Sequence, residues 1–467
     1  MYSQAREVWM CEREAASPRA GSWPPGPSGG TLQRLGRRID PSPVSIGPHS
    51  LPRHEIFLEN VASDEESHCT TIDTIPTMSG PHDASNGTAA TTREPNTFHV
   101  GTRSSILARV QTDQVIKALR AAWGTQYTYE VHAMATSGDN NQTTALYKFN
   151  DKALWTQELE VLLQQRELDF IVHSLKDMPT QLPHDLHLGA VTVREDPRDA
   201  LVIKPGLAGT LKGLADLPEG SVVGTSSLRR TAQLKRRYKH LKFADVRGNI
   251  GTRLAKLDNP DSEYSAIVIA VAGLLRLGMR ERISAYLSKE QGGVLHAVGQ
   301  GALGIEIRKG DTRTQELLDK ICNEKVMQAA LAERELMRTL EGGCSVPIGV
   351  ETEWVRRAGS IVDRAVGIGV KPADGYHTLT GVAETALGGE TAAKEGEETD
   401  EMIMRAVVVS LEGDEAAEHE ARRRVTTRKE AEEFGWEMAK QLVAKGADKI
   451  LEGIVLNREI INKQNEA

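Results

Sequence analysis

Leu168-Asp-Phe-Ile-Val-His-Ser-Leu-Lys-Asp177 decides how the chain folds. Phe170, Ile171 and Val172 form an apolar run too short for a helix, of the kind found in a sheet covered on both faces. His173 sits within the run and reads as a packing histidine. The strand then delivers Ser174, Lys176 and Asp177 at its carboxyl end. Ala266-Ile-Val-Ile-Ala270 is a second run of this type, with a helical stretch over 271–277 behind it. Between the two, Ser221–Thr225 reads as a strand and Ser226-Ser-Leu-Arg-Arg230 as a helix start. Phe243-Ala-Asp-Val246 is another strand, and Gly248-Asn-Ile-Gly251 turns into another helix. Strands alternating with helices imply an α/β protein with parallel sheets and crossover helices. Ligands then belong outside the carboxyl ends of the strands, where Asp177, Ser226 and Arg247 fall.

Upstream, Phe98–Gly101 reads as a short strand. Ser104 or Ser105 can cap a helix with Val115, Leu119 and Ala122 on one face. Residues 137–151 are polar and bear Gly and Asn, as a loop does. A helix with Trp155, Leu159, Leu162 and Leu163 inward follows. Downstream, the pattern changes near residue 320. Helix 325–340 leads into Leu340-Glu-Gly-Gly-Cys-Ser-Val-Pro347, a loop that can present the Cys344 thiol, although a lone cysteine can equally be a small buried hydrophobe. Ile348–Trp354 and Met402–Leu411 read as strands. Thr427 and Glu430 make a capping box for a helix carrying Phe434, Met438 and Leu442, ended by Gly446. Lys371–Glu401 is rich in Gly, Thr and Glu and reads as an exposed insertion. Cys322 lies in a helix pattern.

Residues 1–96 are rich in Pro, Gly, Ser and Thr and have no sustained hydrophobic period, so a disordered, dispensable arm is expected. Met78 could be an alternative start. The expected organisation is this arm, domain 1 over 97–198 plus 297–319, domain 2 over 199–296, and an α+β C-terminal domain over 320–467. The arm lacks the early apolar core of a secretory signal, and Glu7, Glu12 and Glu14 argue against a mitochondrial presequence. A cytoplasmic monomer is expected. The net charge of -8 over 467 residues makes no general case for nucleic acid or an anionic membrane. Cys11, Cys69, Cys322 and Cys344 form neither a disulfide framework nor a zinc pattern, and no metal site is expected.

Residues 229–256 carry ten Lys or Arg against one acid, Asp245. Such a stretch is a solvated basic face, a phosphate-binding stripe, or a site for small polycarboxylates. Placement favours the last. Arg229 and Arg230 lie in the first turn of a helix, whose amides already favour anions. Thr225, Ser226 and Ser227 add hydroxyls, and arginine forks carboxylate in a bidentate way that lysine cannot. Arg103 faces the same crevice if the two units form a cleft. Asp177, beside Lys176, is then either a salt-bridge partner or a general acid/base.

Seven segments, in order, resemble the porphobilinogen deaminase (hydroxymethylbilane synthase) family: Gly-Thr-Arg-Ser-Ser-Ile-Leu-Ala at 101–108, Val-His-Ser-Leu-Lys-Asp-Met-Pro at 172–179, Arg-Glu-Asp-Pro-Arg-Asp-Ala at 194–200, Gly-Thr-Ser-Ser-Leu-Arg-Arg at 224–230, Arg-Gly-Asn-Ile-Gly-Thr-Arg-Leu at 247–254, Ala-Val-Gly-Gln-Gly-Ala-Leu-Gly-Ile-Glu at 297–306, and Leu-Glu-Gly-Gly-Cys-Ser-Val-Pro-Ile-Gly at 340–349. The resemblance implies two doubly wound, periplasmic-binding-protein-like lobes flanking a cleft, plus a smaller α+β domain. It implies a dipyrromethane cofactor held through Cys344 by a thioether, stepwise condensation of four porphobilinogens with loss of ammonia, and hydrolytic release of a linear tetrapyrrole. It makes Asp177 catalytic. Ser174, Lys176, Thr225, Ser227, Arg229, Arg230, Arg247, Lys148 and Lys152 become cofactor contacts, and Arg103, Ser105, Arg247 and Arg253 substrate contacts. Trp155 stands where the family is expected to have phenylalanine. The rival reading is a non-enzymatic two-lobed binding protein for small polycarboxylates.

Overall fold

The computed structural model describes residues 94–135, 156–340, 346–356 and 398–454, all of which belong to one compact unit spanning Thr88–Ala467. Cys344, Lys148, Lys152 and Trp155, most of the 1–96 arm and residues 371–397 of the insertion lie outside the described residues.

Thirteen described strands form three sheets. The first contains β1 (Thr97–Arg103), β2 (Thr128–Met134), β3 (Phe170–Ser174), β4 (Leu186–Val191) and β10 (Leu303–Arg308), in the order β2-β1-β3-β10-β4. The second contains β5 (Asp199–Ile203), β6 (Val222–Gly224), β7 (Lys242–Ala244), β8 (Tyr264–Ala270) and β9 (Ala285–Leu287), in the order β7-β6-β8-β5-β9. The two orders match position by position. In each of these two sheets the first three strands are parallel, and the fourth, β10 or β5, runs antiparallel to both its neighbours. That fourth strand is always the one entered after the chain has crossed from the other sheet. The crossings are residues 192–198 and 288–302. Two lobes of one topology, joined twice, make the doubly wound fold expected from the alternating pattern.

Helices cover both faces of each sheet. α1 (Ile106–Trp123) packs Val115, Ile116 and Leu119 on Phe98, Val100 and Phe170, while α2 (Gln157–Gln164) sets Leu159 and Leu163 against Ile171 on the other face. α3 (Leu228–Arg237) buries Leu234 beside Val223 and Val268. α4 (Ile250–Asp258) and α5 (Val271–Arg276) bury Leu254, Leu257 and Leu274 beside Ile267 and Ile269. Burial on both faces is why Ile267, Val268 and Ile269 can be consecutive and apolar. His173 is buried in β3 and its Nε2 lies 2.9 Å from Glu306 Oε2 on β10.

The C-terminal sheet is antiparallel, with β11 (Ile348–Arg356), β12 (Glu398–Val409) and β13 (Ala416–Arg424) in sequence order. α7 (Glu324–Thr339) and α8 (Arg428–Ala444) pack on it, following α6 (Thr312–Asp319). The Thr427–Glu430 capping box is present, and Gly446 takes φ +93° beyond the helix. β12 begins at Glu398, paired with Arg356, so the last residues of 371–401 are strand rather than insertion. Cys322 is not helical: it lies between α6 and α7, where its amide bonds Leu318 O and Asn323 caps the next helix.

Candidate active site

Asp177 ends a single 3-10 turn, Leu175–Asp177, that follows β3 directly. Leu175 and Met178, on either side of Lys176 and Asp177, are buried in the core shared with α7. The Leu175 amide donates to Ala302 O at 3.0 Å. Gly299 approaches Leu175 so closely that a Cβ there would lie 2.8 Å from its Cγ, and its φ of +70° favours glycine. Arg334, on α7, donates to Met178 O at 3.2 Å and Pro179 O at 2.6 Å. The backbone under Asp177 is therefore pinned from both sides, while Lys176 and Asp177 remain half-buried toward the cleft. Ser174 Oγ exchanges hydrogen bonds with the Gln111 side chain of α1.

The second lobe supplies cations. Ser227 caps α3 and accepts from the Arg230 amide, and Thr225 Oγ1 accepts from the Ser227 amide at 3.2 Å. Ser226 donates to Val246 O. Arg229 and Arg230 are each 5% exposed, and both close on Asp199 at the start of β5. Arg229 Nη1 lies 2.7 Å from Oδ2, and Arg230 Nη2 2.7 Å from Oδ1. Gln300, from the second crossing, donates to Oδ1 at 2.9 Å. Despite burial, which raises it, Arg229 and Arg230 hold the Asp199 carboxyl far below the usual range. Two guanidinium groups on one carboxylate leave a net positive charge.

Arg253, on α4, donates through Nε to Gly248 O at 2.7 Å. Burial pushes its pKa down to about 10, Arg230 adding to the effect and Asp177 opposing it. Burial lowers Lys176 to about 8, against Asp177, with Arg230 and Arg253 lowering it further. Arg247 follows β7, half-buried, and burial lowers it too. These mutual influences bring Lys176 and Asp177 of one lobe together with Arg230 and Arg253 of the other, across a cleft. Arg103 and Ser105 lie at the carboxyl end of β1, which is paired with β3. Ser105 caps α1, accepting from Ala108 N.

Sequence reasoning missed Asp199, Gln300 and Arg334. The available signal was the dense charge of 194–200, running into a strand buried at every residue. It also missed Arg194, which is buried with its guanidinium on Glu333 of α7 at 2.7 Å and its Nε on Gln300 O.

Lobes of one topology around a cleft where Asp177 and Lys176 meet the arginines of the second lobe define a two-lobed α/β protein. Residues 98–316 match the model of the porphobilinogen deaminase dipyrromethane cofactor binding domain, and 327–363 that of the C-terminal domain. Porphobilinogen deaminase of Neurospora crassa is 48% identical over 77% of this chain and 94% of its own length. The Saccharomyces cerevisiae protein of that name is 44% identical over 78% of this chain and 99% of its own. An ABC transporter/periplasmic binding protein from Brucella ovis with glutathione bound is similar at 12% identity, with TM-score 0.31, over 53% of this chain and 72% of that one. The chain belongs to the porphobilinogen deaminase family of transferases of tetrapyrrole biosynthesis.

Proposed function

We propose that the cleft condenses porphobilinogen head to tail on a dipyrromethane held by Cys344, with Asp177 as the catalytic group. The observation that carries this reading is the neighbouring pair Lys176 and Asp177, rigidly set at the end of β3, within electrostatic reach of Arg253 and, for Lys176, Arg230 of the other lobe. The donor set fits a dipyrromethane. Each pyrrole ring of that kind bears two carboxylates, and these cations are partly desolvated and repel one another, so several acids in the cleft relieve both penalties. When bound, the dipyrromethane supplies the nucleophilic pyrrole carbon on which the chain grows.

The residues then divide the work. Asp177, rigidly set, accepts the N–H of an incoming pyrrole, stabilises positive charge as ammonia departs, and takes the proton lost from the ring carbon after coupling. Lys176, Ser174, Thr225, Ser227 and Arg247 hold cofactor carboxylates, Lys148 and Lys152 assist them, and Arg229 and Arg230 supply the excess charge at the α3 N-terminus. Arg103, Ser105, Arg247 and Arg253 hold the substrate's acetate and propionate. We further propose a cytoplasmic monomer that binds neither nucleic acid nor membrane.

The test is turnover of porphobilinogen by Asp177→Asn, with folding checked by circular dichroism and cofactor by Ehrlich's reagent. A folded, Ehrlich-positive variant slowed by at least ~10²–10⁴ is expected. Turnover within tenfold of wild type would make Asp177 an ion-pair partner only. Cys344→Ser should fold without Ehrlich colour; retained colour would move the attachment to another cysteine.

A further inference from the structure

Away from the cleft, β1 and β2 run parallel with His99 opposite Glu130 and Gly101 opposite His132. Strand alternation puts these four positions on one face, opposite the Phe98, Val100 and Tyr129 core. Gly101 is covered by Leu168, whose Cδ1 would lie 2.5 Å from a Cβ there. The His99 and His132 imidazoles approach each other, with ring centroids 5.2 Å apart. His99 Nδ1 lies 3.0 Å from His132 Nε2 and 3.4 Å from Glu130 Oε2. One ligand atom from each of the three residues falls within 4.8 Å of the others. His99 is fixed in place, its amide donating to Asp169 Oδ2 at 2.7 Å and its carbonyl accepting from the Asp169 amide at 2.8 Å.

Two ring nitrogens this close either share one proton or direct both lone pairs at one cation. With metal–nitrogen bonds of about 2.0–2.1 Å, two ligands of a tetrahedral ion stand about 3.3 Å apart, close to the separation seen here. Two imidazoles and a carboxylate suit zinc and its neighbours, whereas magnesium and calcium prefer oxygen ligands. We propose that His99, Glu130 and His132 form a surface site for a divalent transition-metal ion of the zinc class, separate from the catalytic cleft. His99 stands four residues before Arg103, about 13 Å along the strand from the ligand-binding end of the sheet. The ion joins edge strand β2 to its neighbour and takes no part in the chemistry. Cysteine spacing alone does not reveal such a site; its sequence signal is the Glu130-x-His132 pair, and that becomes legible only once His99 is known to lie alongside.

The full-length protein, stripped with a chelator, is titrated with zinc chloride by calorimetry beside His132→Ala, His99→Asn and Glu130→Gln. Wild type should take up one more zinc equivalent than either histidine variant. Glu130→Gln should bind that equivalent more than about tenfold more weakly. Cobalt added at the same stoichiometry should give a visible ligand-field band in wild type and none in His132→Ala. Porphobilinogen turnover of the His132 variant should match wild type. Equal zinc stoichiometry in wild type and both histidine variants, or occupation of the same equivalent by magnesium, overturns the proposal.

Discussion

Arg334 and Lys176 act on Asp177 from opposite directions. Arg334 touches no reacting atom: it positions Asp177 by holding the carbonyls of Met178 and Pro179. Arg334→Met should lower kcat with little change in KM, since misplacement by an ångström costs up to ~10² in rate. Arg334→Lys, which keeps a donor, should recover part of the loss. Unchanged kcat in a folded Arg334→Met would remove the positioning role. Lys176 is cationic below about pH 8 and neutral above it. Its attraction for carboxylates is therefore present at low pH and lost as pH rises through about 8. Turnover of porphobilinogen should fall across that interval as the cofactor's carboxylates lose this cation, and Lys176→Gln should start lower and show no such fall. An equal fall in the variant would place the titration elsewhere.

Among the elements, β3 and β8 were legible from continuous apolar runs and α1 and α8 from their amphipathic period, whereas β5, buried at every residue, was not, because the charges of 194–199 lead straight into it. β3 and β8 announce themselves because both faces are covered. β2, Thr-Tyr-Glu-Val-His-Ala-Met, is an edge strand and β13 alternates toward solvent, so neither carries a continuous apolar run that marks it before its partner is known. In the site, Asp177 and the basic stretch could be picked out because they end strands or open helices. Asp199 could not, because its role depends on two arginines thirty residues away. Glu333 is the same case at the level of a helix. It fixes α7, the helix that ends shortly before Cys344 in the chain, by bonding Arg194, Thr352 and the Gly299 amide. Glu333→Gln leaves Arg194 buried without its counter-charge, so a loss of about 3–5 kcal/mol is expected in urea denaturation. The double variant Arg194→Met/Glu333→Gln should be more stable than the sum of its single losses predicts. Strict additivity would show that the pair is not coupled.

At the scale of the molecule, the two crossings and the third domain meet around His296. Residues 194–199 and 299–301 are tied by Glu195 N to Gly301 O, Arg194 Nε to Gln300 O and Gln300 Nε2 to Pro197 O. The Val350 amide of β11 donates to His296 O, joining the C-terminal sheet to the same segment. The His296 ring is 2% exposed, and its Nδ1 lies 3.1 Å from Ala297 O, which makes Nδ1 the protonated nitrogen. Burial, then Arg194, lowers its pKa to about 4, against the pull of Glu333. Above pH 6.5 the ring is neutral whether the chain is folded or not, and it contributes nothing to pH dependence. Between pH 6.5 and about 4 the unfolded chain binds a proton that the folded one refuses, so stability falls as pH falls. A shift from 6.5 to about 4 corresponds to about 3 kcal/mol over that window. Asp199 and Glu333, both held low, act in the same sense but only at more acid pH, below their unfolded values. His187 and His419, also lowered by burial, act in the same window and sense, and Glu195 and Glu351, raised by burial, oppose them, so it is the comparison with a His296 variant that isolates this histidine. Unfolding free energies measured between pH 7 and pH 4.5 should fall steeply in wild type and much less in His296→Gln, whatever that variant loses at pH 7. If the two slopes coincide, the acid sensitivity arises from another group, and the junction of lobes and third domain is not where protons enter first.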